Sequence, residues 1–203
     1  MGDEGSSEAG NVAALGPGRI VLLVGASGTG KDAVLLQARR RLASRADFTF
    51  PRRVVTRRGS VAEDHDSIGV SEFKARLEQG RFALAWQAHG LNYGIPVEVD
   101  ATVRRGGCVV CNASRTIVPK ARARYRNVAV VLIEAPAELR AARLAGRQRE
   151  GDRDLALRLA RVSDFSAGDA DLVIENAGAL TIAAATLVDW LLAGRVQGAT
   201  QRG

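Results

Sequence analysis

The feature that most constrains the fold of this chain is a glycine-rich stretch, GASGTGKD, at residues 25–32. It follows an apolar run, RIVLLVG, at residues 19–25, and it precedes a helical pattern over residues 31–44. A buried strand, a glycine turn and a helix in this order are typical of α/β domains that bind phosphate groups. In such a unit, the backbone N–H groups of the loop and the positive N-terminus of the helix point toward the same bound phosphate. The stretch matches G-x-x-x-x-G-K-[ST] except at its last position, which is Asp32.

This loop predicts a site for ATP and Mg²⁺. Lys31 is expected to span the β- and γ-phosphates and is a candidate catalytic residue. At the last position, the hydroxyl that normally holds magnesium is replaced by the carboxylate of Asp32, which can hold the ion directly or through water. Alternatively, Asp32 only favours the helix dipole from the first turn. The expected ATP-binding residues are Gly25, Ala26, Ser27, Gly28, Thr29, Gly30, Lys31 and Asp32.

Apolar runs of strand type recur after the loop, with helical patterns between them. Residues 81–96 are expected to form a strand, a turn and a second strand, and an arginine-rich helical stretch covers residues 136–165. Strands that alternate with helices predict an α/β fold with a parallel sheet of about five strands flanked by helices. The other expected strands are at 49–56, 108–112, 128–135 and 171–176. The other expected helices are at 71–79, with Ser71 as N-cap, and at 97–105, 117–125 and 180–193.

Length and composition predict one domain and restrict its partners. Residues 1–18 are expected to be a disordered tail, residues 19–195 the domain, and residues 196–203 a C-terminal tail. No apolar run approaches the length of a membrane span, and MGDEGSSEAG lacks the features of a secretory signal. The net charge of +7 comes largely from arginine, but no basic run is interleaved with aromatics. This favours small anionic substrates over nucleic acid or a membrane.

Cys108 and Cys111 stand as C-x-x-C within a predicted strand. Strand residues three apart point to opposite faces, so we expect these thiols to pack in the core and not to share a metal or a disulfide. The lack of a disulfide framework suits a cytoplasmic location.

Several segments together resemble the guanylate kinase superfamily in order and spacing. They are the loop, VVTRR, EDH, FALAWQAHGLNYGIP, VVCNASR and RLAGRQRE. Within that superfamily the chain is most similar, over residues 19–192, to the ribose 1,5-bisphosphate phosphokinases, which also carry GKD. The resemblance implies a P-loop kinase domain with a small acceptor-binding region and an arginine-rich lid. It further implies ATP-dependent conversion of the sugar phosphate ribose 1,5-bisphosphate to 5-phosphoribosyl 1-diphosphate (PRPP), in bacterial phosphonate breakdown.

One departure from the guanylate kinases concerns the acceptor. Those enzymes read guanine with a glutamate in the segment that matches FALAW, and alignment on HG-x-x-YG places Leu84 there. An apolar residue cannot satisfy the donors of the base. A sugar phosphate is therefore favoured over GMP or another nucleoside monophosphate. A non-catalytic binding module is disfavoured by the intact Lys31.

Arginine suits an acceptor phosphate, because its guanidinium binds phosphate oxygens in pairs. Arg57 is assigned to that phosphate, with Arg53 and Arg58 as secondary candidates. Arg147 and Arg149 match the lid arginines of the family, and they are the catalytic candidates beside Lys31. The candidate substrate-binding residues are Arg57, His89, Tyr93, Asn112, Arg115 and Arg158.

Four further residues have weaker assignments. Trp86 is expected to pack, with a sugar platform as the alternative, and His65 to bind substrate or lie exposed in a loop. Glu134 is placed like an accessory magnesium carboxylate, and Asn176 like a neighbour of adenine.

Overall fold

The structure, a computed structural model, describes residues 13–56, 65–88, 90–145 and 167–199. The strands in these ranges are β1 (Arg19–Val24), β2 (Phe48–Thr49), β3 (Arg53–Val55), β4 (His65–Ser67), β5 (Phe82–Ala88), β6 (Leu91–Pro96), β7 (Cys108–Asn112), β8 (Val128–Glu134) and β9 (Leu172–Glu175). The α-helices are α1 (Lys31–Arg41), α2 (Val70–Glu78), α3 (Val99–Arg104), α4 (Val118–Arg124), α5 (Ala137–Ala145) and α6 (Leu180–Ala199).

The main sheet has five parallel strands in the order β2-β7-β1-β8-β9, which confirms the predicted α/β fold. The central strand β1 is buried on both faces, as its continuous apolar run indicates. Ile20 and Leu22 belong to the core cluster that also contains residues of α3 and α4, whereas Val21 and Leu23 belong to the cluster that contains residues of α1 and α6. Helices therefore cover both faces, and the loop after β1 opens at the carboxyl end of the sheet.

A second, smaller sheet has the order β4-β3-β6-β5. β5 and β6 pair antiparallel, as predicted for residues 81–96, and β6 also pairs with β3. The prediction of one strand over residues 49–56 was wrong, because β2 joins the main sheet and β3 joins the small one. Pro51 lies between them and cannot donate to a ladder.

Some helix ends also differ from expectation. The prediction that Ser71 caps a helix was wrong, because α2 begins at Val70 and its N-cap is Gly69, without a side-chain hydrogen bond. The last helix, α6, extends to Ala199, six residues beyond the expected end at 193. None of the helices in the described ranges combines the length and the apolar character needed to cross a bilayer.

Residues 13–18, which the sequence assigned to a tail, contact the domain. The Leu15 N–H donates to the Arg124 carbonyl and the Arg126 N–H donates to the Leu15 carbonyl, each at 2.8 Å. Leu15 also packs against the core cluster that contains Tyr125. The short apolar run at residues 12–15 is too brief to give a periodic signal of this docking.

The two cysteines lie on opposite faces of β7, as their spacing predicted. Cys108 belongs to the core cluster on the α1 and α6 side, and Cys111 belongs to the cluster on the α3 and α4 side. Both are free thiols, and burial raises the pKa of Cys108 and raises that of Cys111 to about 12. Both thiols therefore act as core residues.

Candidate active site

The loop between β1 and α1 depends on its glycines for close packing. Gly25 and Gly30 have φ angles of 145° and 87°, in the region that glycine adopts without strain. A Cβ atom on Gly25 would collide with the Ile133 carbonyl oxygen of β8, and one on Gly30 would collide with the Asn176 side chain. The glycines thus let the loop sit directly against the strand ends that follow it in the sheet.

The carbonyl groups of the loop are held by cations and an amide. Lys31 Nζ donates to the carbonyls of Gly25 at 2.7 Å and Ala26 at 2.9 Å, and Asn176 Nδ2 donates to the Thr29 carbonyl at 2.8 Å. The first turn of α1 has no side-chain cap, so its N–H groups are available to an anion. This arrangement suits the phosphates of a nucleotide.

Two arginines of α5, which sequence reasoning missed, hold the outer side of the loop. Arg140 Nε donates to the Ser27 carbonyl at 3.2 Å, and Arg143 Nη1 donates to the Thr29 carbonyl at 3.3 Å. Arg143 Nη2 also donates to the Asn176 carbonyl at 3.0 Å. The only signal in the sequence is that Arg140 and Arg143 are three residues apart and so share one helix face.

The ammonium group of Lys31 is buried among other cations, which shifts its pKa. Burial lowers its pKa from 10.5 to about 8, the Asp32 carboxylate opposes this, and Arg53, Arg115 and Arg140 lower the pKa further. A cation placed among other cations gains most from an anionic ligand. The loop is therefore built to receive phosphate charge.

Asp32 makes protein contacts that the sequence did not indicate. Its Oδ1 atom accepts a hydrogen bond from Arg53 Nη2 at 3.0 Å and another from Asn112 Nδ2 at 2.6 Å. Oxygen ligands are the ones that Mg²⁺ prefers, but this oxygen is already neutralised by a guanidinium. The described residues contain no group of three His, Cys, Asp or Glu that could hold a metal. Two protein donors therefore already engage one of the two oxygens of the Asp32 carboxylate.

The small sheet carries a stacked aromatic pair, and one of its rings lies near Arg53, which contacts the loop residue Asp32. Trp86 and Tyr93 are cross-strand partners whose rings stack with centroids 5.4 Å apart and planes 9° apart. The Arg53 guanidinium lies 5.9 Å from the centre of the Tyr93 ring. Trp86 therefore packs, as expected, and Tyr93 is brought close to Arg53.

Arg115 and Glu134 lie at the carboxyl end of the main sheet. Arg115 begins a 3₁₀ turn after β7, and Ser114 caps that turn by accepting from the Thr116 N–H. Partial burial lowers the pKa of the Arg115 guanidinium, Glu134 opposes this, and Arg140 adds to it. Arg115 also lowers the pKa of Lys31, so its charge interacts with the loop as well as with Glu134.

The structure also locates His65 and Asn176. His65 is only 6% exposed, at the start of β4, so it is not an exposed loop residue. Asn176 is 2% exposed and supports the loop through Thr29. The predicted residues Arg57, Arg58, His89, Arg147, Arg149 and Arg158 lie outside the described ranges.

Leu84, aligned with the guanine-reading glutamate, is 4% exposed on β5. It pairs with Ile95 across the hairpin, and it belongs to the same apolar cluster as Ala113 and Ile117, which follow β7. At this position the chain offers a packed apolar contact and no hydrogen-bonding group for a base.

A phosphate loop at the carboxyl end of a five-stranded parallel sheet, with a second small sheet beside it, defines a P-loop kinase of guanylate kinase-like fold. The solved structure of guanylate kinase from Anaplasma phagocytophilum superposes with a TM-score of 0.64 at 20% identity, covering 89% of this chain and 87% of that one. This likeness shows the fold. No protein-family model matches the chain.

Curated relatives identify the family within this fold. The ribose 1,5-bisphosphate phosphokinase PhnN of Methylobacterium radiotolerans is 49% identical over 87% of this chain and 99% of that protein. The proteins of the same name from Bradyrhizobium diazoefficiens and Rhodopseudomonas palustris are 45% and 43% identical, over 83% and 90% of this chain and 85% and 93% of theirs. The chain belongs to the ribose 1,5-bisphosphate phosphokinase family, and it is a kinase.

Proposed function

We propose that the protein transfers the γ-phosphoryl group of ATP to ribose 1,5-bisphosphate and forms PRPP, as a step of phosphonate breakdown. An oxygen of the sugar's 1-phosphate bonds to the γ-phosphorus, and the bond between that phosphorus and the β–γ bridging oxygen breaks. ADP takes the electron pair. An acceptor phosphate is already ionised near neutrality, so the reaction needs positioning and positive charge more than a base.

The observation that carries this proposal is that Leu84 is packed and 4% exposed in a chain whose phosphate loop is intact. A site built to read guanine needs hydrogen-bonding groups there, whereas a sugar phosphate has no base to read. The family membership supports the same substrate.

The proposed roles follow the chemistry of each group. The loop of residues 25–32 binds ATP, and Mg²⁺ accompanies its phosphates as a counter-ion. Lys31 bonds the β- and γ-phosphates, and the lid arginines Arg147 and Arg149 stabilise the transferring group. The proposed acceptor contacts are Arg57, His89, Tyr93, Asn112, Arg115 and Arg158.

A substrate panel tests this function. We expect ATP-dependent turnover with ribose 1,5-bisphosphate, with PRPP as the product, and none with GMP or AMP. Lys31→Ala should abolish transfer and leave the circular dichroism spectrum unchanged, because the hydrogen bonds of Lys31 to described residues go to loop carbonyls and hold no other element. Turnover with GMP alone would overturn the assignment, and ATP binding without any turnover would favour a binding module.

A further inference from the structure

We propose that Asp32 is a positioning residue that holds Arg53 and Asn112 for the acceptor phosphate, and that it is not the magnesium ligand of the loop. The inference rests on the proposed function, because it places both partners on the acceptor side of that reaction. It also accounts for the carboxylate that replaces the usual hydroxyl after Lys31.

The Asp32 carboxylate lies between three elements of the fold. Asp32 stands in the first turn of α1, Arg53 begins β3 of the small sheet, and Asn112 ends β7 of the main sheet. Both partners donate to the same oxygen, Oδ1, at 3.0 Å and 2.6 Å. One side chain thus joins the nucleotide loop to both sheets.

The two partners of Asp32 are more deeply buried than Asp32 itself. The Asn112 residue is 4% exposed and the Arg53 side chain 16% exposed, while the Asp32 side chain is 38% exposed. A largely buried guanidinium needs an anionic partner, and loss of that partner leaves an uncompensated charge. A serine or threonine hydroxyl at position 32 could not supply this charge.

The bond to Asp32 uses only part of the donor capacity of the Arg53 guanidinium. Its bond to Asp32 uses Nη2, and a guanidinium carries five N–H donors in a fixed plane. The guanidinium also lies 5.9 Å from the centre of the Tyr93 ring, so that Asp32 and the ring restrict its orientation from two directions. An arginine fixed in this way presents its remaining donors to a phosphate without first losing side-chain freedom.

Steady-state kinetics of Asp32→Asn, Arg53→Met and the double variant test the proposal. We expect each single variant to raise the KM for ribose 1,5-bisphosphate about tenfold or more, the range for a hydrogen bond to a charged group. The KM for ATP should change less than the KM for the acceptor, because the contacts that the variants break join Asp32 to Arg53 and Asn112, and the Mg²⁺ concentration for half-maximal rate should stay within about twofold. The effects of the two changes should be non-additive, because both break the bond between Asp32 and Arg53.

A matched control is Glu72→Gln, which breaks an exposed pair with Arg76 on α2 at 2.6 Å and should leave all three parameters unchanged. Calorimetry of ATP binding with and without Mg²⁺ provides a readout that needs no turnover. The ratio of the two affinities should be the same in Asp32→Asn as in the wild type. A ratio that falls about tenfold, with an unchanged acceptor KM, would make Asp32 a metal ligand and overturn the proposal.

Failure of the proposed function can be distinguished from failure of the inference about Asp32. If the wild type accepts GMP and not ribose 1,5-bisphosphate, the substrate assignment is wrong, and the acceptor KM of the same variants is then measured with GMP. If no acceptor turns over, thermal unfolding of the same four proteins decides, because coupled residues give non-additive shifts in Tm. Additive shifts, or unchanged kinetics in Asp32→Asn, would show that Asp32 and Arg53 act independently.

Discussion

At the residue scale, the chemistry of the site is concentrated in Lys31. Within the described ranges its ammonium group donates to two backbone carbonyls of the loop, and it lies near the arginines Arg53, Arg115 and Arg140. Burial and the neighbouring cations destabilise the charged form of Lys31 when no anion is bound. The binding of phosphate to this loop should therefore be coupled to proton uptake by Lys31.

We expect the affinity for ATP to fall as pH rises above 8, because burial lowers the pKa of Lys31 to about 8 and the lysine loses its charge above that value. Binding favours the charged form and raises the pKa, so at pH near 8 it should take up about half a proton per site. Calorimetry in buffers of different ionisation enthalpy measures this uptake. Lys31→Arg, which stays charged, should remove the pH dependence; an affinity that is flat to about pH 9.5 in the wild type would contradict it.

At the element scale, a buried carboxylate ties α3 to the end of α4. Asp100 is 2% exposed, and its Oδ1 accepts from the Tyr125 hydroxyl at 2.6 Å. Arg124 donates to its Oδ2, and Arg104 lies 3.8 Å from the same oxygen. This network joins α3 to the end of α4, the helix that directly follows the 3₁₀ turn carrying Arg115.

Asp100→Ala should lower the free energy of unfolding by about 3 kcal/mol, because it leaves the buried Tyr125 hydroxyl and the Arg124 guanidinium without their acceptor. Urea denaturation measures the change. The matched control is Glu98→Gln, which breaks an exposed pair with Arg81 at 3.4 Å and should cost less than about 0.5 kcal/mol. A loss below about 1 kcal/mol for Asp100→Ala would show that water replaces the network.

Sequence reasoning succeeded at this scale where a signal is local. The phosphate loop, the strands flanking it and the β5–β6 hairpin follow from patterns that span a few residues. It failed where contacts join distant segments. Asp32 meets Arg53 and Asn112 from 21 and 80 residues away, and Arg140 reaches Ser27 across 113 residues. No periodicity or motif in a single chain records such pairs, so the partners of Asp32 and the α5 arginines had to be read from the fold.

At the scale of the whole molecule, the two sheets are joined through one apolar cluster. Leu84 and Ile95 of the small sheet pack with Ala113 and Ile117 of the main domain. The position of the small sheet relative to the main sheet therefore depends on this packing, with the Asp32–Arg53 bond as a polar link between the phosphate loop and the small sheet.

Leu84→Glu tests this role. We expect the free energy of unfolding to fall by about 3 kcal/mol or more, since the substitution buries a charge without a partner, and we expect no gain of GMP phosphorylation. Leu84→Met keeps the volume and should cost less than about 1.5 kcal/mol. A stable Leu84→Glu variant that phosphorylates GMP would mean that the cluster is an adaptable pocket and that packing does not set the acceptor.

The placement of the two cysteines on opposite faces of β7 has a practical consequence. They are the only thiols of the chain, they are 0–1% exposed, and burial disfavours the reactive thiolate of both. A cysteine introduced on the surface of α2 would then be the single site at which a maleimide dye reacts, with both native thiols left in place. Fluorescence energy transfer between such a dye and a labelled ATP analogue could follow the distance from the small sheet to the nucleotide during turnover.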